Sequence, residues 1–77
     1  DSGAMYRAVG WKALRDGVLL DDEAAVAGIA EASAIDISAS QVAIDGTDIT
    51  RAIRTPEIDR AAASVARLPR VRSILVE

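Results

Sequence analysis

Ile35-Asp36-Ile37-Ser38-Ala39-Ser40-Gln41-Val42-Ala43-Ile44-Asp45-Gly46-Thr47-Asp48-Ile49 is the stretch where the apolar period drops from helical to two. Ile35 and Ile37 alternate with Asp36 and Ser38, and Val42 and Ile44 with Ala43 and Asp45. Strict alternation marks strands with one face buried. Asp45-Gly46 between Ile44 and Thr47 is a strong signal for a two-residue hairpin turn. Thr47-Asp48-Ile49 then reads as a short return strand. A hairpin alone is barely stable in water, so this small antiparallel sheet of two or three strands must lie on helices.

The flanking sequence supplies them. The first helix is predicted from about Ala4 to Arg15, with Gly17 just past its end. At 100° per residue, Lys12, Arg15 and Asp16 share one sector, read as the wet one, while Tyr6, Gly10, Trp11, Ala13 and Leu14 cover much of the other side. Asp21 or Asp22 caps a second helix ending near Ala34, with Val26, Ile29 and Ala30 as its buried stripe. Thr50 is read as the cap of a short helical turn reaching Arg54. Thr55-Pro56 starts the next helix, a good N-cap followed by proline at the first helical position. Ile58, Ala61, Ala62, Val65 and Leu68 line one face of it. Pro69 ends it and opens a final helix striped by Val71, Ile74 and Leu75. The expected class is therefore α+β, four to five helices packed with a small antiparallel sheet.

Seventy-seven residues make one small domain at most. Of 39 apolar residues, 16 are alanine, which favours helix but buries little area. No cysteine staples the fold, and without cysteine or histidine no zinc motif exists. The missing cysteines suit the cytosol. There is no signal peptide and no apolar run near the ~18 residues of a membrane span. The chain opens on Asp1 and closes on Glu77 within a helical pattern, so both ends read as cut. Net charge is −3, but residues 1–50 carry −6 and residues 51–77 carry +3. The second part can attract an anion although the whole cannot. Scattered arginines without interleaved aromatics argue against nucleic acid.

The chemistry concentrates at the start, Asp1-Ser2-Gly3-Ala4-Met5-Tyr6-Arg7. Asp1 or Ser2 can cap the first turn, Gly3 allows close approach to the backbone, and free N–H groups at a helix start attract anions. Arg7 is the one charge of its helix away from the polar stripe, and a charge there needs a ligand or a partner. Its planar fork suits bidentate capture of phosphate. The bland alternatives are a packed stem with a wet head, or a protein carboxylate. A guanidinium locked onto a neighbouring aspartate would count against the anion role. Asp45 and Asp48 lack further ligands at metal spacing and read as turn and edge residues.

The opening heptapeptide resembles the start of the monophosphate-binding region of bacterial cytidylate (CMP) kinases. Ile53-Arg54-Thr55-Pro56-Glu57-Ile58 is similar to a second element of that family, and Val65-Ala66 followed by Pro69-Arg70-Val71-Arg72 to a third. Order and spacing agree along the chain. The resemblance implies a fragment of an α/β P-loop kinase, residues 1–77 forming its monophosphate-binding domain or part of it. It implies that Arg7 grips the phosphate of CMP or dCMP, that Ser2 and Tyr6 shape that subsite with Asp1 beside it, and that Arg72 contacts cytosine. A guanidinium can donate to the O2 and N3 acceptors of that base. The family places a serine eight residues after the position of Thr55. Here Ala63 stands there and Ser64 is next door, turned by about 100°. This departure puts strict cytosine selectivity in doubt.

Phosphoryl transfer needs a Gly-rich cradle with lysine and a Ser/Thr for magnesium. This chain has none, and its single lysine is Lys12. The fragment is thus expected to hold the acceptor and to be inactive alone. The resemblance implies ATP and Mg2+ as requirements of the whole enzyme, none bound by this fragment, in a monomeric cytoplasmic protein with no nucleic-acid or membrane partner. Two rivals stand beside this reading: a nucleoside monophosphate kinase of relaxed base specificity, kept open by Ala63, and a noncatalytic interaction module that keeps the fold.

Overall fold

The computed structural model describes residues 2–76, without the side chain of Ser2. In chain order the elements are α1 (Ser2–Arg15), α2 (Glu23–Ala32), β1 (Ile35–Ile37), β2 (Val42–Ile44), β3 (Thr47–Asp48), α3 (Pro56–Ala66) and α4 (Pro69–Val76). Among the described residues, four helices and a three-stranded antiparallel sheet make the expected α+β arrangement.

Helix α1 is the spine, and it divides the core. Val9 faces a cluster built with Val26, Ala27 and Ala30 of α2, Val65 of α3, and Val71 and Leu75 of α4. Ala8 faces a second cluster of Ile44, Ile49, Ile53 and Ile58. Adjacent helical residues differ by about 100°, so one helix serves both. Its end is built as the sequence requires. Gly17 adopts φ +71°, its N–H donates to Leu14 O at 3.3 Å, and Val18 N–H donates to Ala13 O at 2.8 Å. This paired pattern satisfies carbonyls that the last turn leaves open, and it needs glycine at the left-handed position. Val18 then packs onto the first cluster.

Asp22 caps α2, its carboxylate accepting from Ala25 N–H at 3.2 Å. The helix stops at Ala32, two residues before the expected end, because the chain is already turning into β1. Strand order is β1-β2-β3 with Ile35 opposite Ile44 and Ile37 opposite Val42. Asp45 (φ +51°) and Gly46 (φ +81°) form the two-residue turn, both left-handed as a primed hairpin turn demands. The sheet lies against α1. Ile44 is fully buried there, with Ile35 and Val42 partly buried beside it.

Two local expectations change. Lys12 does not face open water: it is only 21% exposed, and its ammonium donates to Asp45 Oδ2. Asp45 Oδ1 also accepts from Ala34 N–H at 2.9 Å, so one carboxylate ties the hairpin turn to α1 and to the start of β1. Arg15 and Asp16 of that sector are exposed as read, and Lys12 alone is covered, by a hairpin distant in sequence. Thr50 does not cap a helical turn. The turn over residues 50–53 does form, Ile53 N–H donating to Ile49 O at 3.1 Å, but the Thr50 hydroxyl accepts from Val42 N–H at 3.0 Å and donates to Asp48 Oδ1 at 2.6 Å. The first residue of β2 outcompetes the downstream backbone for that oxygen.

Helix α3 starts as read: Thr55 Oγ1 accepts from Ile58 N–H at 3.1 Å, with Pro56 in the first turn. Ile58, Ala61 and Val65 are buried, with Ala62 and Leu68 partly so. Pro69 opens α4, whose Arg70 N–H donates to Glu23 Oε2 at 3.1 Å.

Candidate functional site

An open cleft of about 800 Å³ lies between the N-terminal half of α1, the β1–β2 loop, and the turn that leads into α3. Its charged lining residues are Arg7, Arg54 and Asp59. Ser38, Ser40, Gln41 and Thr50 add polar walls, and Ala4, Ile37, Val42 and Ile53 an apolar floor. Arg7 reaches the cleft because Ala8 and Val9 behind it are buried to either side of α1. Arg54 is set by its neighbour Ile53, which anchors in the second cluster, and by its own Nε donating to Thr50 O at 3.3 Å. The β1–β2 loop is held by Ser38, whose N–H donates to Gln41 O at 2.9 Å and whose Oγ accepts from Gln41 N–H at 3.1 Å.

Arg7 has a protein partner. Its Nη2 and Nε both donate to Asp59 Oδ1, at 3.3 and 3.4 Å. This is the carboxylate alternative named for Arg7, and it bears directly on the anion role. The contact is not a lock. It uses one carboxylate oxygen at long range, and the two side chains are 44% and 59% exposed. Exposed pairs of this kind are worth ~0–1 kcal/mol. A phosphate offering two oxygens to the same fork forms stronger, charge-assisted bonds.

The other expected site residues lie elsewhere. Tyr6 packs against the first core cluster and is not among the residues lining the cleft. Arg72 sits at the α3–α4 junction, its Nη1 donating to Ala66 O at 3.1 Å and Arg67 O at 3.3 Å. It thereby closes carbonyls at the end of α3. Arg7 meets the first turn of α3 and Arg72 the last, about 10 Å apart along its axis. Asp1 and the side chain of Ser2 fall outside the described residues. Ala63 is exposed, whereas Ser64 lines a separate, apolar groove with Leu14, Val18, Leu19 and Leu68.

Two carboxylates near the sheet have acidities shifted by their bonds. Asp45 is held below the ordinary carboxylate range first by the Lys12 hydrogen bond and then by Ala34 N–H. Asp48 is lowered by the hydroxyl and then the N–H of Thr50. Both are structural bonds, and neither residue is among those lining the Arg7 cleft.

The sequence profile described as cytidylate kinase matches residues 1–77. The chain belongs to the cytidylate kinase family. It is 45% identical over 80 residues to the cytidylate kinase of Desulfitobacterium hafniense, covering all of this chain and 34% of that protein. It is 40% identical over 77 residues to the cytidylate kinase of Caldanaerobacter subterraneus subsp. tengcongensis, again all of this chain and 34% of the relative. It is also 39% identical over 84 residues to a bifunctional pantoate ligase/cytidylate kinase of Nostoc sp., covering all of this chain and 16% of that protein. The chain thus spans about a third of the length of the first two cytidylate kinases.

Against this cytidylate kinase background, Arg54 and Asp59 are the charged cleft residues that sequence reasoning passed over. For Arg54 the signal was present, since it stands inside the Ile53–Ile58 motif, but that motif was read for family resemblance and helix capping, and Arg54 itself was given no role. The residues described here do not fit ATP or Mg2+: they include no Gly-rich cradle, Lys12 is engaged by Asp45, and no cluster of three metal-ligating side chains exists among them. No helix among the described residues is long and apolar enough to cross a membrane.

Proposed function

We propose that this chain is the acceptor-binding part of a kinase that moves the γ-phosphoryl of ATP onto CMP or dCMP. The observation that carries the reading is that Arg7 and Arg54 line one open cleft in a cytidylate kinase-family chain. Two guanidiniums match the charge of about −1.5 to −2 on a phosphate monoester at neutral pH. Their work is to fix the acceptor phosphate and neutralise it as the attack proceeds, which is most of what such catalysts contribute. Arg72, at the far end of α3, has donors left beyond its Nη1 for a base. Ser2 completes the phosphate subsite in this reading with Asp1 beside it, while Tyr6, packed on the first core cluster, shapes it from behind by holding α1 in place. ATP and Mg2+ belong to parts of the protein outside these residues, so the fragment alone does not turn over. The whole protein acts as a cytoplasmic monomer.

A second reading, relaxed base specificity, is favoured by Ser64. Its position in the apolar groove, while Ala63 faces solvent, leaves that helix step without a hydroxyl for the base amino group. Acceptor kinetics of the whole protein with CMP, dCMP and UMP test both. A preference of tenfold or more for CMP over UMP supports the first reading, and near-equal efficiencies support the second. No transfer to any nucleoside monophosphate contradicts both.

A further inference from the structure

We infer that Asp59 is an internal competitor for Arg7, and that its carboxylate sets how tightly the cleft takes an acceptor phosphate. The inference rests on the acceptor-site reading above and adds a residue to it.

Three observations carry it. Asp59 lines the same cleft as Arg7 and Arg54 and, among the described residues, is the only carboxylate lining it. It already occupies one of the two edges of the Arg7 fork, Nε and Nη2, at which a bidentate oxyanion can dock. Its charge has a second home, because Asp59 stands in the first turn of α3, where the helix dipole favours an anion.

Charge decides the direction of the effect. Among the described lining residues, Arg7 and Arg54 outweigh Asp59 by one positive charge. A phosphate of about −1.5 to −2 balances the two arginines by itself. Keeping Asp59 in contact then leaves an excess of negative charge beside Arg7. The carboxylate must therefore let go when the phosphate arrives. The long, single-oxygen, exposed contact allows this cheaply. Asp59 is a positioning residue in this scheme: it parks Arg7 over the empty cleft and lowers affinity for the anion by the strength of its own bond.

The test uses the full-length protein, with CMP binding measured by calorimetry and KM measured with ATP. Asp59→Asn keeps the shape and removes the charge. It should tighten CMP by about two- to fivefold in both Kd and KM, the scale of an exposed ion pair. Asp59→Glu should stay near the parent value. In an Arg7→Ala background, Asp59→Asn should give no such gain. Cytidine, which lacks the phosphate, should gain nothing in either background. Weaker or unaltered CMP binding by Asp59→Asn, with Arg7→Ala still damaging, overturns the inference and leaves the acceptor-site reading standing. An equal gain for cytidine also overturns it. If Arg7→Ala leaves CMP binding intact, the acceptor-site reading fails and takes this inference with it.

Discussion

Gly10 of α1 faces Ala61 of α3 so closely that a Cβ on Gly10 would stand 3.1 Å from the Ala61 Cβ and 3.3 Å from its carbonyl carbon. The two helices that carry Arg7 and Asp59 therefore meet at a close approach that a side chain at Gly10 would crowd. Gly10→Ala gains helix propensity of ~1 kcal/mol and meets a contact that must give by a few tenths of an ångström. Its net effect should be small. Gly10→Val forces the helices apart and should destabilise by about 1–3 kcal/mol, read as a lower urea midpoint of the whole protein. Because the cleft spans α1 and α3, the valine variant should also raise KM for CMP.

Acid should weaken the hairpin first. The Asp45 and Asp48 carboxyls are both lowered in the folded chain by bonds that require them ionised, from Lys12 and Ala34 to Asp45 and from Thr50 to Asp48. A lowered folded value means that the stabilisation is fully present above the unfolded value, near 4, and is lost as pH falls through the folded one. Denaturation midpoints should hold between pH 5 and 7 and drop below about pH 4. Asp45→Asn should lower the midpoint at neutral pH and flatten the acid limb. An acid limb as steep in that variant as in the parent would remove Asp45 from the account.

Arg72 has two jobs to separate. Its Nη1 closes carbonyls of Ala66 and Arg67 at the end of α3, an exposed contact worth about 0.5–1 kcal/mol. Arg72→Ala should therefore cost that much in unfolding measurements. It should also narrow the preference for CMP over UMP by more than it slows turnover with CMP. A loss of stability with no change in base preference would assign Arg72 to the helix end alone.

Much of this architecture was legible in local sequence. Asp45-Gly46, Gly17, Asp22, Thr55 and Pro69 all act where their chemistry places them, because turns and caps are decided within a few residues. Strands β1 and β2 follow from alternation and β3 from the Asp45-Gly46 turn, although Ile37 of the apolar face is exposed. What was not legible depends on residues far apart in sequence. Lys12 looked wet until the hairpin at Asp45 covered it. Thr50 looked like a cap until β2 offered Val42 N–H. Asp59 carried no site signal by itself, being one acid in a helix whose first turn favours acids for other reasons. The candidate site divides the same way. Arg7 stood out because it broke the polar stripe of its own helix. Arg54 was hidden because its position comes from the buried Ile53 and the tight turn behind it.

The central claim is that the Arg7 guanidinium holds the acceptor phosphate. The most direct measurement is kcat/KM for CMP in the full-length protein carrying Arg7→Ala. Loss of a charge-assisted contact of ~1.5–3 kcal/mol should lower it at least tenfold, with thermal unfolding close to the parent. Efficiency within twofold of the parent, in a folded variant, would mean that Arg7 serves only its pair with Asp59 and that the acceptor sits elsewhere.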